Sequence, residues 1–248
     1  GAQGLPARSH RCAEVRIRRE IQQICNLKSE ILYQMSAHYS QIKPGIYDCK
    51  TCRTRCDGVT VPRFDFKHDV DFSEAVENEV TAIINKKYPG LFAVKTRQDG
   101  FPDIEISRIN SSSVCLYIEI KVQSRTFMSV QKYLPDSGLH PSETLALNLS
   151  DLERYFRVKE REGVPVFITW CLLNRPCMVG TEPGSKRFFS QNLDELQKIR
   201  LKDENDTRRF RRASGEGDVV DGVHKGVVIN YHFSILELFE GLPDLSEL

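Results

Sequence analysis

The chain has 248 residues, 40% of them hydrophobic, with 35 basic against 34 acidic side chains and a formal net charge of +1. That length is enough for one large core with an appended subdomain, and the near-neutral balance excludes a uniformly basic nucleic-acid coat, so any basic surface must be local. No apolar run approaches the roughly 20 residues that span a bilayer, no internal repeat of about 20 to 50 residues is apparent, and the start GAQGLPARSHRC has no signal-like apolar stretch; a soluble, cytoplasmic protein without a membrane partner is expected.

In chain order, the first element is ARSHRCAEVRIRREIQQICNLKSEILYQM, where Val15, Ile17, Ile21, Ile24, Leu27 and Ile31 alternate with Arg16, Arg18 and Arg19. It reads as a helical segment whose arginines either contact phosphate or form a solvated face. YDCKTCRTRC follows, with Cys49, Cys52 and Cys56. A Cys-x₂-Cys knuckle can bring two thiolates to one tetrahedral Zn²⁺. Cys56 would be a third ligand of a structural zinc and His38, His68 or Cys12 the fourth; free thiols in a polar loop are the alternative. Cys25, Cys115, Cys171 and Cys177 read as small core residues. Residues 1–69 are therefore taken as a helical, Cys-rich accessory region, and residues 70–248 as the core with C-terminal additions.

DFSEAVENEVTAIINKKYPG, residues 71–90, reads as a helix stopped by Pro89-Gly90, with Phe72, Ala75, Val76, Val80, Ile83 and Ile84 at helical spacing. On a helical wheel Glu79 falls inside that stripe, between Val76 and Ile83, with Glu77 at its edge and Glu74 nearly opposite. An acid on a core-facing stripe needs a reason: either a functional role or a snorkelling or salt-bridged Glu near the stripe boundary. Next, FPDIEISRINSSSVCLYIEIKVQ, residues 101–123, reads as two strands. Ile104 and Ile106 share one parity with Val114, Leu116, Ile118, Ile120 and Val122 in their respective strands, and Asp103 and Glu105 the other with Tyr117, Glu119, Lys121 and Gln123. If the strands pair, three carboxylates and one ammonium gather on one patch, which calls for a cation or a partner. The simpler alternative is a wet face of an antiparallel hairpin.

At Pro102-Asp103 followed by Glu119-Ile120-Lys121, the chain resembles the PD-(D/E)XK nuclease superfamily, the fold of many type II restriction endonucleases; the resemblance extends over about residues 70–175. It implies Mg²⁺-dependent hydrolysis of phosphodiester bonds in double-stranded DNA, with Asp103 and Glu119 as metal ligands, Lys121 directed at the attacking water, and a further acid from the preceding helix, Glu79, with Asp99 as the weaker choice. Glu105 and Gln123 would support substrate or water around them, or else Gln123, with Ser124 and Arg125 after it, simply terminates the strand. A homodimer is expected from the family, because a two-fold axis places one site on each strand. A repair or junction-resolving nuclease shares this chemistry, and a DNA-binding module that has lost turnover shares the fold.

The remaining elements fit the α/β core that the resemblance implies, a mixed central sheet flanked by helices. Ser150 is a candidate helix cap, with Leu152, Tyr155 and Phe156 on the buried side. Gly163-Val164-Pro165 then turns the chain into VFITWCLL, whose continuous apolar run predicts a strand covered on both faces. Arg208, Arg209, Arg211 and Arg212 surround Phe210 and are expected to contact DNA, or else to form a surface loop. GVVINYHFSILELFEGL reads as a final strand and helix.

Overall fold

Where branched and aromatic residues alternate, the chain forms strands; where they recur every three or four positions, it forms helices. The computed structural model describes residues 66–248 apart from 112, 124, 174, 180–184, 203–205 and 221. The accessory region therefore falls outside the described residues, except for its last few positions. So do the arginine-bearing N-terminal segment and Cys49, Cys52 and Cys56 with their proposed zinc.

Helix α1 (Phe66–Lys87) leads into β1 (Leu91–Lys95), β2 (Ile104–Arg108) and β3 (Val114–Gln123). A crossover then carries α2 (Val130–Tyr133), β4 (Thr144–Asn148) and α3 (Leu149–Glu162) before β5 (Val166–Leu172), α4 (Pro176–Val179), β6 (Arg187–Asn192) and α5 (Leu193–Lys202). The C-terminal part adds β7 (Arg209–Ala213), β8 (Val219–Val220), β9 (Val223–His224), β10 (Val227–Ser234) and β11 (Phe239–Glu240). The central sheet has the order β1-β2-β3-β5-β6-β11. Its β3–β5 pair is parallel and its other pairs are antiparallel. A parallel neighbour cannot be reached by a hairpin, which is why the long crossover stands between β3 and β5. A second antiparallel sheet, β4-β10-β7, is built from that crossover and the C-terminal part.

The fold is thus the expected mixed α/β arrangement, and it covers both faces of the hairpin. On one face, Ile104, Ile106, Leu116, Ile118 and Ile120 are buried, and α1, packed on β1 and β3, buries Val76, Val80 and Ile84. On the other, Tyr117, Ile168, Trp170 and Leu172 join Leu145, Leu147, Tyr231 and Phe233 of the second sheet and Leu152, Tyr155 and Val158 of α3 in one cluster. All residues from 116 to 120 are buried, so the wet-face alternative does not hold. Of VFITWCLL, Val166–Leu172 is likewise buried throughout as β5.

Three local expectations are corrected. LFAVK forms β1, a strand that the periodicity reading passed over. Helix α3 is capped by Asn148, whose side chain accepts the Ser150 amide, because Asn148 is extended at the end of β4 and its carbonyl-bearing side chain folds over the first turn. The C-terminal segment forms β10 followed by one 3₁₀ turn, Ile235–Glu237, held by a reciprocal Ser234/Glu237 capping box; Phe239 then pairs with Ser190, so no helix continues.

Candidate active site

The ladder between β2 and β3 sets Ile104 opposite Ile118 and Glu105 opposite Tyr117. Continued by one rung, it brings Asp103 across from Glu119. Asp103 is fixed on both sides by backbone: its carbonyl accepts the Thr96 amide at 2.8 Å, and its Oδ2 accepts the Ile120 amide at 2.8 Å. Glu119 is buried at 4% exposure, and Lys121 Nζ lies 2.7 Å from its Oε1. The parity of the sequence thus translates into a Lys121–Glu119 ion pair with Asp103 across the ladder, where it feels the charge of both.

Helix α3 completes the group. Lys121 Nζ donates to Asp151 Oδ2 at 3.0 Å and to the Tyr155 hydroxyl at 3.4 Å. Arg154 pairs with Asp151 at 2.9 Å and donates to the same hydroxyl at 3.1 Å. The Tyr155 hydroxyl in turn hydrogen-bonds Glu119. Asp151, Arg154 and Tyr155 were not legible as site residues from the sequence; the one available signal is that Asp151 stands one turn before the buried Tyr155.

Electrostatics follow from this packing. Burial first, then the negative charge of Glu119, push the Asp103 carboxyl up to about 7, against the pull of the Ile120 amide; Glu77 adds to the rise. Burial opposes the charged form of Lys121, but Glu119, Tyr155 and Asp151 outweigh it and hold the ammonium well above the ordinary lysine value. Burial and Glu119 also raise the Tyr155 phenol, which keeps its proton.

The acid that packing buries on this helix is Glu77 rather than Glu79. At about 100° per residue, Val76, Val80 and Ile84 span about 80° of α1. Glu77 lies about 20° beyond Ile84, whereas Glu79 lies about 60° beyond Val76 on the other side. The packed arc is therefore rotated toward Glu77, which is buried at 8%, while Ile83 is 38% exposed. Glu79 turns away to an ion pair with Lys186. Glu77 Oε2 sits 3.0 Å from Lys95 Nζ without an aligned hydrogen bond. Asp99 is exposed in the loop before β2.

Other expected site residues are placed differently. Glu105 stands opposite Tyr117, two residues along the strand from Asp103, and its charge raises the Tyr117 phenol after burial and Glu162. Gln123 is a staple: its amide donates to the carbonyls of Arg125 and Thr144 and accepts from the Ala146 amide, tying β4 to the end of β3. Of the arginines, Arg208 is committed to a two-oxygen contact with Glu237 at 2.7 Å, and Arg209 pairs with Asp206 at 2.7 Å. Arg211 and Arg212 are exposed on the edge strand β7.

Asp103 and Glu119 suit Mg²⁺, which takes hard oxygen ligands, often from one or two carboxylates, and keeps several waters. Among the described residues no three acids, histidines or cysteines converge on one point, so water would have to complete the shell. The raised Asp103 carboxyl, beside the charge of Glu119, marks negative charge that a cation would offset.

No protein-family model matches the chain, and no curated protein does. Among solved structures, Hjc, a Holliday junction resolvase from the archaeal hyperthermophile Archaeoglobus fulgidus, is similar over 68% of this chain and 91% of that one, at 13% identity and a TM-score of 0.34.

Proposed function

We propose that the protein is a Mg²⁺-dependent DNA endonuclease of the restriction-like kind. The observation that carries this reading is the rung that sets Asp103 against the buried Glu119, with Lys121 Nζ 2.7 Å from Glu119. Two carboxylates and an ammonium, fixed by backbone and by α3, are the parts that metal-assisted phosphodiester hydrolysis needs.

Asp103 and Glu119 would hold the ion, with Glu77 the nearest further carboxylate in charge terms. When bound, Mg²⁺ supplies an activated water and offsets charge on the scissile phosphate. Asp103 must release its proton to serve as a ligand, so its occupancy rises with pH through about 7. Lys121, kept as an ammonium, cannot accept the proton of the attacking water. Its role is to donate a hydrogen bond to that water or to a phosphate oxygen. Asp151 and Tyr155 aim it. Double-stranded DNA is the proposed partner, and a homodimer would present one such site to each strand.

Digestion of unmodified genomic DNA tests the reading. Discrete fragments that require Mg²⁺ and vanish in EDTA support it. Cutting confined to branched or damaged DNA would move the protein to the repair or junction-resolving class, and DNA binding without cleavage would leave a non-catalytic module.

A further inference from the structure

A cleft of about 400 Å³ opens beside Lys121, and the hydrolytic group makes no use of most of it. Its lining brings Lys121 together with Phe127 from the crossover and with Phe210, Arg212 and His232 from the second sheet. The aromatic side chains form a wall: Phe127 lies 5.3 Å from Phe210 and 5.1 Å from His232, centroid to centroid, and Tyr133 backs Phe210 at 5.2 Å.

The polar groups in this lining point to a ligand with a hydrogen-bonding edge. His232 Nδ1 is 3.0 Å from the Arg208 carbonyl, which can only accept, so Nδ1 carries the proton and Nε2 is left as an acceptor. Burial lowers the basicity of this ring and keeps it neutral. Thr126, also in the lining and 9% exposed, has a buried hydroxyl that no hydrogen bond satisfies. A buried hydroxyl without a partner is unusual enough to need an explanation.

An aromatic wall, a neutral acceptor, an unsatisfied hydroxyl and the cations Lys121 and Arg212 together describe the recognition of one nucleotide. The volume lies within the roughly 300–1,000 Å³ typical of small-ligand pockets. A base inside a duplex has both faces stacked and its pairing edge occupied, so only an unpaired base could use the wall. We propose that the cleft receives a single unpaired nucleotide of the substrate strand, its base against Phe127 and Phe210 and its phosphates toward Lys121 and Arg212. The inference rests on the nuclease reading for the identity of the strand but not on turnover.

The test uses the full wild-type chain in EDTA, titrated against fluorescein-labelled pentathymidylate and a pentamer of the same backbone that is abasic at every position. Fluorescence anisotropy should show the abasic oligonucleotide binding at least about tenfold more weakly. Phe210→Leu should narrow that gap, whereas Arg212→Ala should weaken both oligonucleotides alike. Equal affinity of the wild type for the two oligonucleotides would overturn the proposal, and because the change is made in the ligand, no folding defect can produce that result. Competition by thymidine 5′-monophosphate as strong as that by the oligonucleotide would also overturn it, by assigning the cleft to a free nucleotide. Base discrimination without Mg²⁺-dependent cleavage would uphold the pocket and remove the nuclease reading; cleavage without base discrimination would do the reverse.

Discussion

Asp103 is the residue on which most of the chemistry turns, and its titration is measurable without activity. In the metal-free folded chain it keeps its proton up to about pH 7, whereas unfolded it releases it near 3.8. Across that window the unfolded state binds fewer protons, so stability falls as pH rises and the loss is complete above the folded value. The interval corresponds to roughly 4 kcal/mol. Asp103→Asn keeps an acceptor for the Ile120 amide and has no charge to bury. In EDTA its melting temperature should exceed that of the wild type at pH 8, and the difference should close as pH falls to 4; a pH-independent difference would show that charge burial at Asp103 is not its source. The two helix acids separate in the same way. Glu79→Gln removes a partly exposed ion pair with Lys186, worth about 0–1 kcal/mol, and should leave the Mg²⁺ requirement for cleavage unchanged. Glu77→Gln removes a charge that Asp103 feels and should shift that requirement several-fold in a Mg²⁺ titration.

At the scale of elements, β7 and the turn before β10 divide support from recognition. Arg208→Ala would strand Glu237, whose Oε2 also accepts the Ser234 amide, and urea unfolding should show a loss of about 1–3 kcal/mol. Arg211→Ala and Arg212→Ala should instead leave stability within about 0.5 kcal/mol while lowering DNA affinity and reducing its salt slope by about one unit for each phosphate no longer held. Gly217 has φ +69°, and a Cβ there would come within 2.2 Å of the Val227 nitrogen. Its neighbour Asp218 bonds the Asn148 side chain at the cap of α3 and the Ile229 amide. Gly217→Ala should therefore destabilise by about 1–3 kcal/mol, read by urea unfolding. These elements also show what the sequence could disclose. The hairpin and the meeting of Asp103 with Glu119 and Lys121 were legible because a period of two assigns faces before any tertiary partner is known. The choice between Glu77 and Glu79 was not, because Ile83 extended the apolar arc on one side and only packing against β1 and β3 decides which edge is buried. Nor could Asp151 and Tyr155 be found, since they reach Lys121 from a crossover helix 30 and 34 residues away. Arg208 looked like its neighbours because its partner Glu237 arrives only through the β7–β10 pairing.

In the described residues as a whole, the second sheet and α3 close over one face of the central sheet, and the Lys121 cleft lies between the second sheet and the β3–β5 part of the central sheet. Hydrolysis and recognition would then share one opening, with the carboxylates at the hairpin and the aromatic wall and edge arginine supplied by the C-terminal strands. Nothing in this arrangement makes β7 necessary for the chemical step, and nothing in the hairpin selects a base. The central claim concerns the hairpin, and the most direct measurement is the rate of Mg²⁺-dependent nicking of supercoiled plasmid by wild type and Asp103→Asn at equal, saturating protein. The wild type should nick and stop in EDTA, and Asp103→Asn should be slower by at least about 10²-fold while melting no lower and binding plasmid equally well. Nicking by Asp103→Asn at the wild-type rate, under the same Mg²⁺, would contradict the assignment of this site.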